Sequence, residues 1–230
     1  MTSTVIAVGG HIGDMELTAG PTLAKVVLEG GRAIIIDCTY GERGHPTLAP
    51  SVYREQKLHE ARHFAEAIGA ELVTLDYSDG FLPDAEEVAE QIAEVIREAK
   101  PDLLITHWTN SMHRDHERAA QAALRAAFLA SIPIEEIDAP RHSVPRILFA
   151  ENWEDMEGFE ADTFFEIPEE AYQRWRAGID EHAFARGETY GFRFIDYYSA
   201  LMQVKGCLAG VPRAAAFRSA GTERFALAGP

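Results

Sequence analysis

Apolar positions in the first 130 residues follow two alternating patterns. Short unbroken runs make the first: Thr4-Val5-Ile6-Ala7-Val8, Ala33 to Asp37, Glu71 to Leu75 and Asp102 to His107. Runs of this kind, closed by Gly or Pro, suit strands buried on both faces of a parallel sheet. Between them lie longer stretches with apolar residues at helical spacing. Residues 14–30 carry Met15, Leu17, Leu23, Val26 and Val27 and stop at Gly30-Gly31, a common helix end. Residues 51–68 form a charged amphipathic helix ending at Gly69, residues 84–99 a helix closed by Lys100-Pro101, and residues 114–130 a further helix. Strands alternating with helices of this length predict β-α-β units joined by right-handed crossovers. The predicted class is α/β: a Rossmann-like, doubly wound, mostly parallel sheet with helices on both faces.

The second half is less regular. Val144 to Ala150 and Thr163 to Ile167 read as strands, and Pro168 to Ala185 as a helix with proline near its start, where its missing N–H is harmless. Residues 190–205 read as helix and Arg213 to Arg218 as a short turn. Segments 131–143 and 151–162 carry acids and aromatics, Trp153 and Phe159 among them, and are candidates for loops over a site. A chain of 230 residues that is 47% hydrophobic can bury one sizeable core, so residues 1–230 are expected to form one domain. Residues 1–130 would make its core, and residues 131–230 would complete the fold and the pocket.

Charge narrows the function classes. A formal net charge of −16 repels phosphate backbones, which argues against nucleic-acid partners. Cys38 and Cys207 form no C-x-x-C pair, so a cytoplasmic location fits. No basic segment followed by a long apolar one opens the chain, and no apolar run approaches the roughly 20 residues that span a bilayer. Neither a signal peptide nor a membrane span is expected.

The candidate chemistry lies just beyond two of the runs. His11-Ile12-Gly13-Asp14 follows the first, and His113-Arg114-Asp115-His116 follows the fourth. In a doubly wound sheet those two strands are neighbours at the switch point, and ligands bind beyond their carboxyl ends. Two imidazoles and one carboxylate drawn from these clusters suit a single divalent metal, most simply Zn2+, with a position left open for water of lowered pKa. The donor set does not select strongly, and Fe2+ also suits it. A dinucleotide is disfavoured: G-x-G-x-x-G is absent, and Asp14 and Glu16 at the first helix oppose a pyrophosphate. His107 reads as a buried, hydrogen-bonded residue, His59 and His63 as surface residues, and His182 as structural. His45 and His142 are loop residues able to approach a substrate.

These motifs resemble the PIG-L (LmbE-like) family of metal-dependent N-acetylglucosaminyl deacetylases, which shows A-H-P-D-D-x-E after its first strand and H-x-D-H after its fourth. Here the segments read Gly10-His11-Ile12-Gly13-Asp14-Met15-Glu16 and His113-Arg114-Asp115-His116, supported by Thr39-Tyr40-Gly41-Glu42 and Leu75-Asp76-Tyr77-Ser78-Asp79-Gly80. The resemblance implies one zinc held by His11, Asp14 and His116. It also implies that His113 stabilises a tetrahedral intermediate, with Asp115 orienting it from behind. Arg54 would lie near a substrate-facing arginine. Implied substrates are small amino-sugar conjugates cleaved at a carbon–nitrogen amide bond, and implied partners are further copies of the chain. One departure matters. The family's general base is the first acid of H-P-D-D, and here that position is Gly13. Losing such a group typically costs about 10²–10⁴-fold in rate. Glu16, Glu42 or Asp115 could serve instead; the enzyme could act on a more reactive bond with the metal alone; or the chain could be a metal-binding homologue that has lost hydrolysis.

Overall fold

All four apolar runs fold as strands whose successive residues serve opposite faces. The computed structural model describes residues 2–84, 86–155 and 157–221. Its strands are β1 (Thr4–His11), β2 (Arg32–Thr39), β3 (Glu71–Tyr77), β4 (Leu103–Thr106), β5 (Arg146–Ala150), β6 (Thr163–Glu166) and β7 (Ala214–Ser219). The sheet order is β3-β2-β1-β4-β5-β7-β6. The first five strands are parallel, and β7 runs antiparallel to both β5 and β6. Helices are α1 (Asp14–Thr18), α2 (Gly20–Leu28), α3 (Pro50–Ile68), α4 (Glu86–Ala99), α5 (Arg114–Ser131), α6 (Glu169–Ile179) and α7 (Phe194–Ala209).

The unbroken apolar character of β1 is explained by its two covers. Val5 and Ala7 join Ala33, Ile35 and Ile105 in a core that includes Leu23, Phe64 and Trp175 of α2, α3 and α6. Ile6 and Val8 join Ile34, Ile36 and Leu104 under α4 and α5, where Ile92 and Ile96 meet Ala119, Ala123 and Ala126. Register places Val8 opposite Thr106 and His11 opposite Thr39, so the loops after β1 and β4 leave the sheet side by side.

Three elements differ from the sequence reading. The helix expected over 14–30 breaks after Thr18, where Pro21 cannot continue the preceding hydrogen bonds. Gly20 stands at the break because a Cβ there would lie 2.8 Å from Trp175 Cδ1 and 2.9 Å from Phe64 Cζ. The Trp175 indole donates to the Glu16 carbonyl at 2.8 Å, tying α6 to α1. The helix expected over 168–185 ends at Ile179. Residues 213–218, expected as a turn, fall mainly on β7, set between β5 and β6. Ala214, Ala215 and Ala216 carry no β-branched or alternating signal; pairing with β6, while residues 217–219 pair with β5, makes them a strand, which local propensity cannot report.

Candidate metal centre

The first loop is shaped by its own backbone. Gly13 adopts φ +106°, a conformation that favours glycine, and the turn brings Asp14 back over His11. The His11 backbone N–H donates to Asp14 Oδ2 at 2.8 Å. The second loop ends at His113, whose Nδ1 accepts from the Asp115 backbone N–H at 3.3 Å and caps α5. One turn of helix then carries His116 beside His11.

The result is a near-equilateral triangle of donors. His11 Nδ1 lies 3.1 Å from Asp14 Oδ2 and 3.2 Å from His116 Nε2, and His116 Nε2 lies 3.1 Å from Asp14 Oδ2. A tetrahedral ion with bonds of about 2.0–2.1 Å needs ligand atoms about 3.3 Å apart. The residues therefore fit a metal with little adjustment. Burial alone would raise the Asp14 carboxyl, but His116 and His11 hold it well below the usual carboxylate range, which keeps it an anionic donor.

Surrounding groups back the triangle. His107 stacks on His116 with centroids 3.9 Å apart, and its Nε2 accepts from the Gly10 N–H at 3.0 Å. Burial pushes its pKa down to about 3, so it stays neutral, and its Nε2 lies 3.2 Å from Asp14 Oδ2. His11 Nε2 faces Asp79 Oδ1 at 3.1 Å and Asp115 Oδ2 at 3.4 Å. The Asp115 carboxylate also accepts from the Gly80 and Leu82 N–H groups at 2.6 and 3.3 Å. It thus sits behind His11 and holds the loop after β3; its link to His113 is through its backbone N–H.

The triangle opens into a cavity of about 450 Å³. His113 lines it, as do the carboxylates of Asp14, Asp79 and Glu154. Its far wall is aromatic: Trp153, Phe184, Tyr190, Phe192, Phe194 and Tyr198. The acids named as replacement bases lie outside it. Glu16 is fully buried and accepts from the Gly13 N–H at 2.8 Å; Glu42 accepts from the Asp79 N–H at 3.1 Å. Position 13 itself is filled. A Cβ on Gly13 would meet Phe184 Cζ at 2.3 Å and Cε1 at 2.6 Å, with Lys57 Nζ at 3.3 Å.

Other expectations are redistributed. Arg54 pairs with Asp76 at 2.9 Å and stacks on Tyr40, away from the cavity. Lys57, one turn further along α3, lines the cavity instead, donating to the Ile12 carbonyl with its ammonium 4.0 Å from the Phe184 ring centre. A signal for it was present: Lys57 stands on the buried stripe Tyr53, Lys57, Ala61, Phe64, Ile68, where a cation needs a partner. Segment 131–143 lies at the opposite end of the sheet, with Ile132, Ile137 and Ala139 carbonyls held by Arg97. His142 contacts the Pro101 carbonyl there, and His45 accepts from the Thr47 and Leu48 N–H groups; neither lines the cavity. His59 and His63 are exposed, and His182 is buried against Glu60. Segment 151–162 does reach the cavity, through Asn152, Trp153 and Glu154.

Fold and donor set together define a Rossmann-like protein whose loops after the first and fourth strands bring together groups that could hold a metal ion. The chain belongs to the PIG-L family, described as GlcNAc-PI de-N-acetylase, whose signature spans residues 6–127. It is 31% identical over 193 residues to a 1D-myo-inositol 2-acetamido-2-deoxy-alpha-D-glucopyranoside deacetylase of Streptomyces griseus, covering 70% of this chain and 58% of that protein. The chain thus spans little more than half the length of such relatives. Its fold is similar to that of the 4-carboxy-2-hydroxymuconate hydratase of Pseudomonas putida KT2440, with a TM-score of 0.87, 18% identity and full coverage of both chains. It is similar also to the N,N'-diacetylchitobiose deacetylase of Pyrococcus horikoshii, with a TM-score of 0.76, 19% identity and coverage of 94% and 83%. Among the described residues no helix is long and apolar enough to cross a membrane.

Proposed function

We propose that the chain is a metal-dependent hydrolase of carbon–nitrogen amide bonds, acting on an N-acetylated amino-sugar conjugate or a related small molecule. The observation that carries this reading is the triangle of His11, Asp14 and His116 at the foot of an aromatic-walled cavity. The relatives' activities support the bond type. Zn2+ is the proposed ion. When bound, such an ion polarises a substrate oxygen and acidifies water.

The chain's own groups then have distinct tasks. Because His113 Nδ1 accepts the Asp115 backbone N–H, its proton resides on Nε2. That N–H is the donor His113 offers to the oxygen that gains charge as the carbonyl becomes tetrahedral. Trp153 and its stacked neighbour Phe192, with centroids 4.8 Å apart, offer a flat apolar surface to the non-reacting part of the substrate. Metal-loaded protein should release acetate from a panel of N-acetylglucosamine conjugates, lose that activity to a chelator and regain it with Zn2+.

A second reading is favoured by one observation. Phe184 and Lys57 fill the place of the family's general base, so a homologue that binds metal and ligand without turnover also fits. One bound metal per chain with no acetate released across the panel would establish this second reading over the first.

A further inference from the structure

The stretch beyond the family signature contributes a polar chain that ends on a proposed metal ligand. The Trp153 backbone N–H donates to the Tyr198 hydroxyl oxygen at 3.2 Å. Tyr198 is buried, and its own O–H reaches Asn152 Oδ1 at 3.1 Å. That contact orients the amide, so Asn152 Nδ2 faces Glu154 Oε1 at 3.3 Å. The same Glu154 oxygen lies 3.3 Å from His116 Nδ1. Asn152 Nδ2 also lies 3.3 Å from His116 Nδ1; with Nε2 turned to a metal, Nδ1 carries the proton, and of these two neighbours only the Glu154 carboxylate accepts it. The hydrogen-bond roles close in one direction: tyrosine to amide, amide to carboxylate, and imidazole to carboxylate.

We infer that Glu154 is a positioning residue for the metal centre: it accepts the Nδ1 proton of His116, which leaves Nε2 unprotonated and aimed into the donor triangle. A carboxylate behind a ligating imidazole fixes its tautomer and raises its basicity. Asn152 and Tyr198 hold that carboxylate in place. This inference rests on the metal reading of the triangle. It gives the centre an anion from outside the 6–127 signature, in a chain whose position 13 carries no acid.

The test is Zn2+ affinity, measured by competition with a chromophoric chelator on the full-length protein, together with the visible spectrum of the Co2+-loaded form. Glu154→Ala should weaken Zn2+ binding by about 10–100-fold and alter the Co2+ bands. Glu154→Asp should restore part of the affinity, and Tyr198→Phe should weaken it by less than Glu154→Ala. Should the alanine variant fail to fold, Glu154→Gln decides, because it keeps the size and an acceptor oxygen but removes the charge; a several-fold loss is required. A wild-type chain that binds one Zn2+ and a Glu154 variant that binds it equally tightly, with unchanged Co2+ bands, would overturn the role of Glu154 alone. A wild-type chain that takes up no Zn2+ would overturn the metal reading and this inference with it.

Discussion

Two walls enclose the cavity, and they are built by different means. The wall made by the loops after β1 and β4 is set by the sheet. Parallel register puts Val8 beside Thr106, and each loop inherits its position from a buried strand. The wall made by residues between 150 and 198 has no such template. Its cavity-facing residues come from irregular chain and from the start of α7, held by ring packing, such as Phe192 against Phe194 at 4.6 Å, and by polar anchors such as Tyr198. In the proposed function the first wall supplies the metal donors and the second meets the rest of the substrate. Placement fixed by backbone pairing thus goes with the proposed chemistry, and placement fixed by side-chain packing goes with the proposed recognition.

The contrast breaks most sharply if the donors are cut. Asp14→Ala or His116→Ala should lower Zn2+ affinity by at least about 100-fold, because even the groups behind a ligand are worth about 10–100-fold; metal content after dialysis reads this. The next effect crosses the two walls. Gly13→Asp forces a branched carboxylate into a strained φ and into the Phe184 ring, at an expected stability loss of about 2–5 kcal/mol. Denaturant melts should show it, with no gain in acetate release. In a Phe184→Ala background the same change should cost less by about 1 kcal/mol or more, the coupling expected of touching residues. On the recognition wall, Trp153→Ala should raise KM about tenfold with kcat and metal content little changed, since uniform binding is lost. A fall in kcat instead would move Trp153 to the chemical side. The smallest effect belongs to Arg54→Ala. Its pair with Asp76 is substantially exposed, so stability should change by less than about 1 kcal/mol and KM not at all.

The same division governs what the amino-acid sequence reveals. Strands β1, β2 and β4 announce themselves because burial on both faces leaves unbroken apolar runs, and the switch-point rule then brings His11 and Asp14 close to His113 and His116 from about a hundred residues apart. The position of Asp115 was harder. The family resemblance implies that it orients the His113 ring, whereas its carboxylate turns toward His11 and the Gly80 loop. Glu154 and Asn152 leave no periodic trace, since they lie in irregular chain whose path depends on Tyr198, more than forty residues away. β7 was hidden for a related reason: its three small alanines become strand by pairing with β6 while residues 217–219 pair with β5, and neither partner is near in sequence.

The pairing of Gly13 with Phe184 constrains how this centre can change. Any glycine codon becomes an aspartate or a glutamate codon by one nucleotide substitution, so an acid lies a single mutational step away in the gene. In the folded protein it lies at least two steps away, because the aromatic ring must withdraw before the carboxylate can enter. Variants that pass through the one-step intermediate carry the clash without the benefit. The packing of one phenyl ring therefore acts as an evolutionary latch on which residue position 13 can carry.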